Sequence, residues 1–175
     1  MRGWRILPLV LVSLLAAPAQ GAIPKPLLPL SFLVGKWVAG ANTGAYGQGA
    51  GGCEFKLSLQ DQVIVRTNHA EYPASEKTPA VKHDDLMVIY AAGTGAEAQY
   101  YDNEGHVIHY AITVPGPGQA VFLSDLATDA PRYRLTYTLR GDGMLGGEFE
   151  VAPPGKPDAF TRYLAWESRR AVPGW

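Results

Sequence analysis

Hydrophobic positions along this chain recur at every second residue in short runs. Over 132–140, Tyr133, Leu135, Tyr137 and Leu139 share one face, and Arg132, Arg134, Thr136 and Thr138 share the other. Over 54–59, Phe55, Leu57 and Leu59 oppose Glu54, Lys56 and Ser58 in the same way. Alternation of this kind predicts half-buried strands. Runs of strand-forming residues cover 32–38, 52–59, 62–70, 86–92, 96–102, 106–114, 119–125, 132–140, 144–151 and 159–167. Between them lie turn signals such as Asp102-Asn103-Glu104-Gly105, Pro115-Gly116-Pro117-Gly118 and Gly141-Asp142-Gly143. No segment after the first twenty residues sustains a helical spacing over a dozen positions; the best short helical option is 27–34, as a turn plugging one end. About ten strands with short connections predict an all-β antiparallel sandwich or, preferably, a closed up-and-down barrel over residues 31–170, because closure removes two adhesive edges.

The first segment is of a different kind. Arg2 and Arg5 precede an apolar run from Ile6 to Ala17, and Ala17-Pro18-Ala19 supplies a small-x-small cleavage pattern, with Ala19-Gln20-Gly21 as a near alternative. Residues 1–19 are expected to be a signal peptide, and the protein to be exported, periplasmic or secreted. The run is shorter than the roughly 20 residues of a spanning helix, so no stable membrane insertion is expected after cleavage. Residues 20–30, with three prolines from Pro24 to Pro29, are expected to be an extended arm, and 171–175 a tail.

Composition narrows the function classes. The 175 residues carry 15 basic and 16 acidic side chains. Losing Arg2 and Arg5 with residues 1–19 leaves 13 basic against 16, a net of −3. That balance gives no basic footprint for nucleic acid. The single cysteine, Cys53, forms no internal disulfide and reads as an inert packed thiol. Gly47-Gln48-Gly49-Ala50-Gly51-Gly52 matches G-x-G-x-x-G in form, but it runs into a strand rather than a helix and reads as a loop flanking a barrel mouth. Ser58, Ser75, Ser124 and Ser168 lack a nucleophile-elbow setting.

His69, His83, His106 and His109 are candidates for other chemistry. His83-Asp84-Asp85 precedes a strand, and Asn68-His69 lies near the end of an earlier one. His69 and His83 with Asp84 or Asp85 at a barrel mouth have the residue types for a hydrolase or isomerase, or for metal ligation with one later His. His106 and His109, three apart, face opposite sides of a regular strand. The aromatic inventory is a stronger signal. Nine Tyr and four Trp offer an interior that is apolar yet carries hydrogen-bonding groups. Arg66, Asn68, Tyr90, Tyr101, His109, Tyr137 and Arg162 are the expected ligand-orienting residues. The leading expectation is a non-catalytic protein, without cofactor or metal, that holds a small, mostly apolar molecule. The alternatives are the His/Asp enzyme and an envelope interaction module without ligand.

Ser31-Phe32-Leu33-Val34-Gly35-Lys36-Trp37 opens the first strand with G-x-W and resembles the N-terminal signature of calycin barrels, the lipocalin and fatty-acid-binding group. The 68–73, 83–87 and 102–106 blocks resemble uncharacterised bacterial secreted proteins related to that group. The resemblance implies that Trp37 closes the barrel bottom under an arginine of the last strand, Arg162 or alternatively Arg169. Two departures are visible. No helix pattern of lipocalin type follows the last strand. Nitrobindin-like barrels hold haem through a late histidine, whereas nothing after His109 is a His, which leaves only an internal Tyr for that role.

Overall fold

A computed structural model describes residues 21–44, 49–76 and 79–171. The signal-peptide expectation for 1–19 lies outside these residues, as does nearly all of the tail. Ten strands follow one short helix in chain order. They are β1 (Gly35–Gly44), β2 (Ala50–Ser58), β3 (Val63–Tyr72), β4 (Val81–Ala92) and β5 (Gly95–Asp102), then β6 (Val107–Gly116), β7 (Gln119–Ser124), β8 (Arg132–Leu139), β9 (Leu145–Ala152) and β10 (Thr161–Arg170). Each pairs antiparallel with its sequence neighbours, and β10 returns to β1, so the sheet is a closed up-and-down barrel. Each strand thereby has a neighbour on both sides, although β1 and β2 pair only over Gly35–Val38 and Gly52–Phe55.

Inside and outside alternate along each strand. In β3, Ile64, Arg66, Asn68, Ala70 and Tyr72 point inward; in β4, Val81, His83, Asp85, Met87 and Ile89 do so. The interior of one end is packed solid by residues such as Phe55, Ile64, Met87, Ile89, Phe122 and Leu145. Edge-to-face rings run through it from Tyr110 to Phe122, Tyr137 and Phe55, with centroids 5.5 to 6.3 Å apart.

The arm expected over 20–30 gives way from Lys25 onward to a 3₁₀ helix, Lys25–Leu33, which extends the short helical plug expected over 27–34. Leu27, Leu30 and Leu33 recur every third residue, which matches three residues per turn and lays all three on one fully buried ridge. Pro26 sits in the first turn, where its missing N–H costs nothing, so the proline content is compatible with this helix. The helix packs across β4 and β5 and stoppers the barrel.

Trp37 locks that stopper. Its indole Nε1 donates to the Leu33 carbonyl at 2.7 Å. Arg170 lies over the ring, with its guanidinium carbon 4.4 Å from the centroid, and donates to the carbonyls of Val34 and Phe32. The arginine on Trp37 is therefore Arg170, not Arg162 or Arg169. Arg169 has the opposite parity on β10, and Arg162 is turned outward to Glu148 by a register shift between Arg162 and Leu164. Gly35 makes the arrangement possible. Its φ is +135°, and a Cβ there would lie 2.5 Å from Arg170 Nη1.

Candidate functional site

Above the packed end the barrel encloses a cavity of about 340 Å³ whose lining reaches Gly49 before β2, Tyr72 and Val81 at the β3–β4 connection, and Glu104 and His106 at the β5–β6 connection. Its two walls differ in chemistry. One is built from Tyr110 and Ile108 on β6, Tyr133 and Leu135 on β8, Phe149 and Val151 on β9, and Leu164 and Trp166 on β10. Tyr133 and Phe149 stack with centroids 5.7 Å apart. Trp166 fits because its strand partner is Gly147, where a Cβ would come within 2.2 Å of the indole.

The other wall is a polar network on the inward positions of β3, β4 and β5. Asn68 lies opposite Asp85, and Asp85 opposite Asp102, so register alone gathers these groups. Arg66 Nη1 donates to Asp85 Oδ1 at 2.8 Å, and Asn68 Nδ2 to Asp85 Oδ2 at 2.9 Å. His83 Nε2 lies 3.3 Å from Asp85 Oδ2 and 3.1 Å from the Tyr100 hydroxyl; its Nδ1 lies 3.1 Å from Glu104 Oε1. Tyr100 donates onward to Asp102 Oδ2, whose carboxylate also accepts from the backbone N–H groups of Glu104 and His106.

Electrostatics follow from this geometry. The hydrogen bond to Asp85 outweighs partial burial and raises His83 to about 8, so both ring nitrogens donate at neutral pH. Burial opposes the charge on Arg66, but Asp85 more than compensates and holds the guanidinium firmly protonated. Burial pushes the Tyr100, Tyr110 and Tyr137 hydroxyls well above their ordinary value, so all three stay protonated. Cys53 faces the cavity beside Arg66, and burial pushes its thiol up despite that cation. Asp102 is lowered: burial works against its charge, and the bonds from His106 and Glu104 overcome that.

Of the expected ligand-orienting residues, Arg66 and Asn68 line the cavity, and Tyr137 lies fully buried beneath it, edge-on to Phe55, Phe122 and Trp166. Tyr90, Tyr101, His109 and Arg162 do not face it. Tyr90 and Tyr101 stand on the outer faces of β4 and β5, one residue from the inward Ile89 and Tyr100. His109 is outside too, between Asp125 at 2.9 Å and Glu97 at 3.2 Å, with Tyr90 donating to the same Glu97. Arg162 pairs with Glu148 at 2.7 Å on the outer surface. The His/Asp quartet splits across the sheet. His69 and Asp84 meet outside at 2.5 Å, whereas His83 and Asp85 meet inside. His83, Asp84 and Asp85 belong to β4 itself, which begins at Val81, and strand alternation divides them. Among the described residues no three of His, Cys, Asp and Glu converge as metal ligands.

The inward residues that sequence reasoning passed over as ligand contacts include Tyr100, Tyr110, Tyr133, Phe149 and Trp166. The alternation in 132–140 carried the signal for Tyr133, because it shares parity with Tyr137. Neither a protein-family model nor a curated protein sequence matches this chain. No helix among the described residues is long and apolar enough to cross a membrane.

Proposed function

We propose that this protein is an exported, calycin-like barrel that binds a small, mostly apolar molecule in its interior and does no chemistry on it. The observation that carries the reading is the cavity. Its volume of about 340 Å³ falls in the roughly 300–1,000 Å³ range of small-molecule sites, and it pairs an aromatic wall with a few fixed polar groups. The stoppered opposite end makes it a pocket rather than a channel. The Gly35, Trp37 and Arg170 arrangement supports the calycin relationship, and the leader-like pattern of residues 1–19 supports export.

The test is native mass spectrometry of the protein purified from an exported, detergent-free preparation, followed by denaturation and extraction. A stoichiometric organic adduct is expected. A bare mass, together with no uptake of the apolar fluorophore N-phenyl-1-naphthylamine, would refute the reading. A second reading is favoured by one contact, His83 Nε2 to Asp85 Oδ2 at 3.3 Å. It is a mouth-located hydrolase or isomerase in which His83 moves the proton and Asp85 orients it, without His69 or Asp84. Turnover of a carboxylic ester by the natural chain and not by His83→Gln would establish it.

A further inference from the structure

The two ends of the barrel differ in charge. The strand connections at the mouth, residues 45–49, 73–80, 103–106, 125–131 and 153–160, carry Glu76, Glu104, Asp125, Asp129 and Asp158 against Lys77 and Lys156, a net of −3 with His106 counted neutral. The helix and connections of the stoppered end carry Lys25 and Arg140 against Asp61 and Asp142, a net of zero. A cleft rimmed by one sign of charge concentrates ions of the other sign at its entrance.

The cavity lining continues that bias. Its carboxylates are Asp85, Asp102 and Glu104. Its cations, Arg66 and His83, converge on Asp85, at 2.8 Å from one oxygen and 3.3 Å from the other. Asp102 is met by the Tyr100 hydroxyl, by His106 and by two backbone N–H groups. Glu104 is tied to His83 through Oε1 alone, and its other oxygen meets no donor among the described residues. The open polar capacity at the rim is therefore an acceptor, and a negative one. The aromatic wall adds to the preference, because ring faces attract cations and repel anions. Deeper in, Tyr110 is 1% exposed and lines the cavity, and its hydroxyl meets no partner among the described residues. Unlike the Tyr137 hydroxyl it is not sealed off, so it marks a site completed from outside.

We propose that the interior site selects a cation on an apolar skeleton, an alkyl or aryl amine, over a fatty acid. The ammonium sits at the mouth and donates to Glu104, and the skeleton lies against Tyr133, Phe149 and Trp166. An anion on the same path meets Glu104 and Asp102 first, and finds the nearby cations already held by Asp85. The proposal rests on the interior-binding reading above and adds the charge that the site selects.

The experiment uses the full chain and the matched pair decylamine and decanoate, each competing with N-phenyl-1-naphthylamine at neutral pH and low salt. Decylamine is expected to displace the fluorophore at about tenfold lower concentration than decanoate, about threefold from attraction of the one and about threefold from repulsion of the other. In Glu104→Gln that preference falls to about threefold or less, while the affinity for the neutral fluorophore stays the same. Raising the ionic strength from about 0.01 M to about 0.3 M shrinks the preference of the natural chain by about threefold, which decides the matter if Glu104→Gln does not fold. Decanoate matching or beating the amine overturns the proposal, as does a preference indifferent to salt. An unchanged preference in folded Glu104→Gln also overturns it. Failure of the fluorophore itself to bind refutes the interior-binding reading instead, so the two failures are distinguishable.

Discussion

Replacing Asp85 with Asn keeps the shape of the polar wall and removes one charge. Arg66 is then a buried cation without a counter-charge, since the two side chains are only 6% and 2% exposed. At 2.8 Å and an effective dielectric of about 20, the gross attraction lost is about 6 kcal/mol. The net cost is smaller, because the amide oxygen still accepts from Arg66 and Asn68. Removing one partner of a buried pair costs about 3–5 kcal/mol. The expected loss for Asp85→Asn is about 3 kcal/mol, at the lower end of that range. With a urea dependence of about 1–3 kcal/mol per molar, the unfolding midpoint moves down by about 1–3 M. The assay is urea unfolding at neutral pH, followed by both far-ultraviolet circular dichroism and tryptophan emission so that two-state behaviour is checked. A companion variant, Arg66→Met with Asp85→Leu, replaces the pair by apolar groups and is expected to recover most of the loss. If Asp85→Asn unfolds within about 1 kcal/mol of the natural chain at equal slope, the reasoning fails, and Arg66 is solvated through the cavity.

Three further outcomes are expected. His83 titrates near 8 by NMR, against an unfolded value of about 6.5. A raised folded pKa stabilises fully below the unfolded value and is lost as pH rises through the folded one, so stability falls by up to about 2 kcal/mol between pH 6.5 and pH 8–9, and less in His83→Gln; a midpoint at or below 6.5 contradicts this. Gly147→Ala pushes a methyl into the Trp166 indole and is expected to cost about 1–3 kcal/mol by thermal unfolding, where an unstrained site would show no loss. Arg170→Ala removes the cation over Trp37 and two bonds to the helix end, costing about 1–2 kcal/mol, whereas Arg162→Ala, on an exposed pair, leaves the unfolding midpoint unchanged in the same assay.

The ten-strand order was legible because alternation and turn residues are local signals. Facing was harder to read. Tyr100 and Tyr101 are adjacent and chemically alike, so only the three-dimensional register decides that Tyr100 enters the network and Tyr101 stays outside. Arg66 and Asn68 were legible as a pair because residues two apart share a face in any unbroken strand. Arg162 was misplaced by the register shift beside Leu164, which reverses parity within one residue and leaves no mark in composition. The stoppering helix was legible as the short helical option over 27–34, and the prolines obscured only its first turn, from Lys25 to Pro26, which read as extended arm. The packing of Arg66 on β3 against Tyr137 on β8 joins strands distant in sequence, which no local pattern carries.

The placement of the two described indoles has an optical consequence. Trp166 forms part of the cavity wall, and Trp37 is sealed at the stoppered end under Arg170. A molecule entering the barrel changes the surroundings of the first and leaves the second untouched. The barrel thus carries its own reporter and its own internal reference: with Trp4 and Trp175 replaced by Phe throughout, emission from a Trp37→Phe variant follows occupancy directly, and emission from Trp166→Phe stays constant through the same titration.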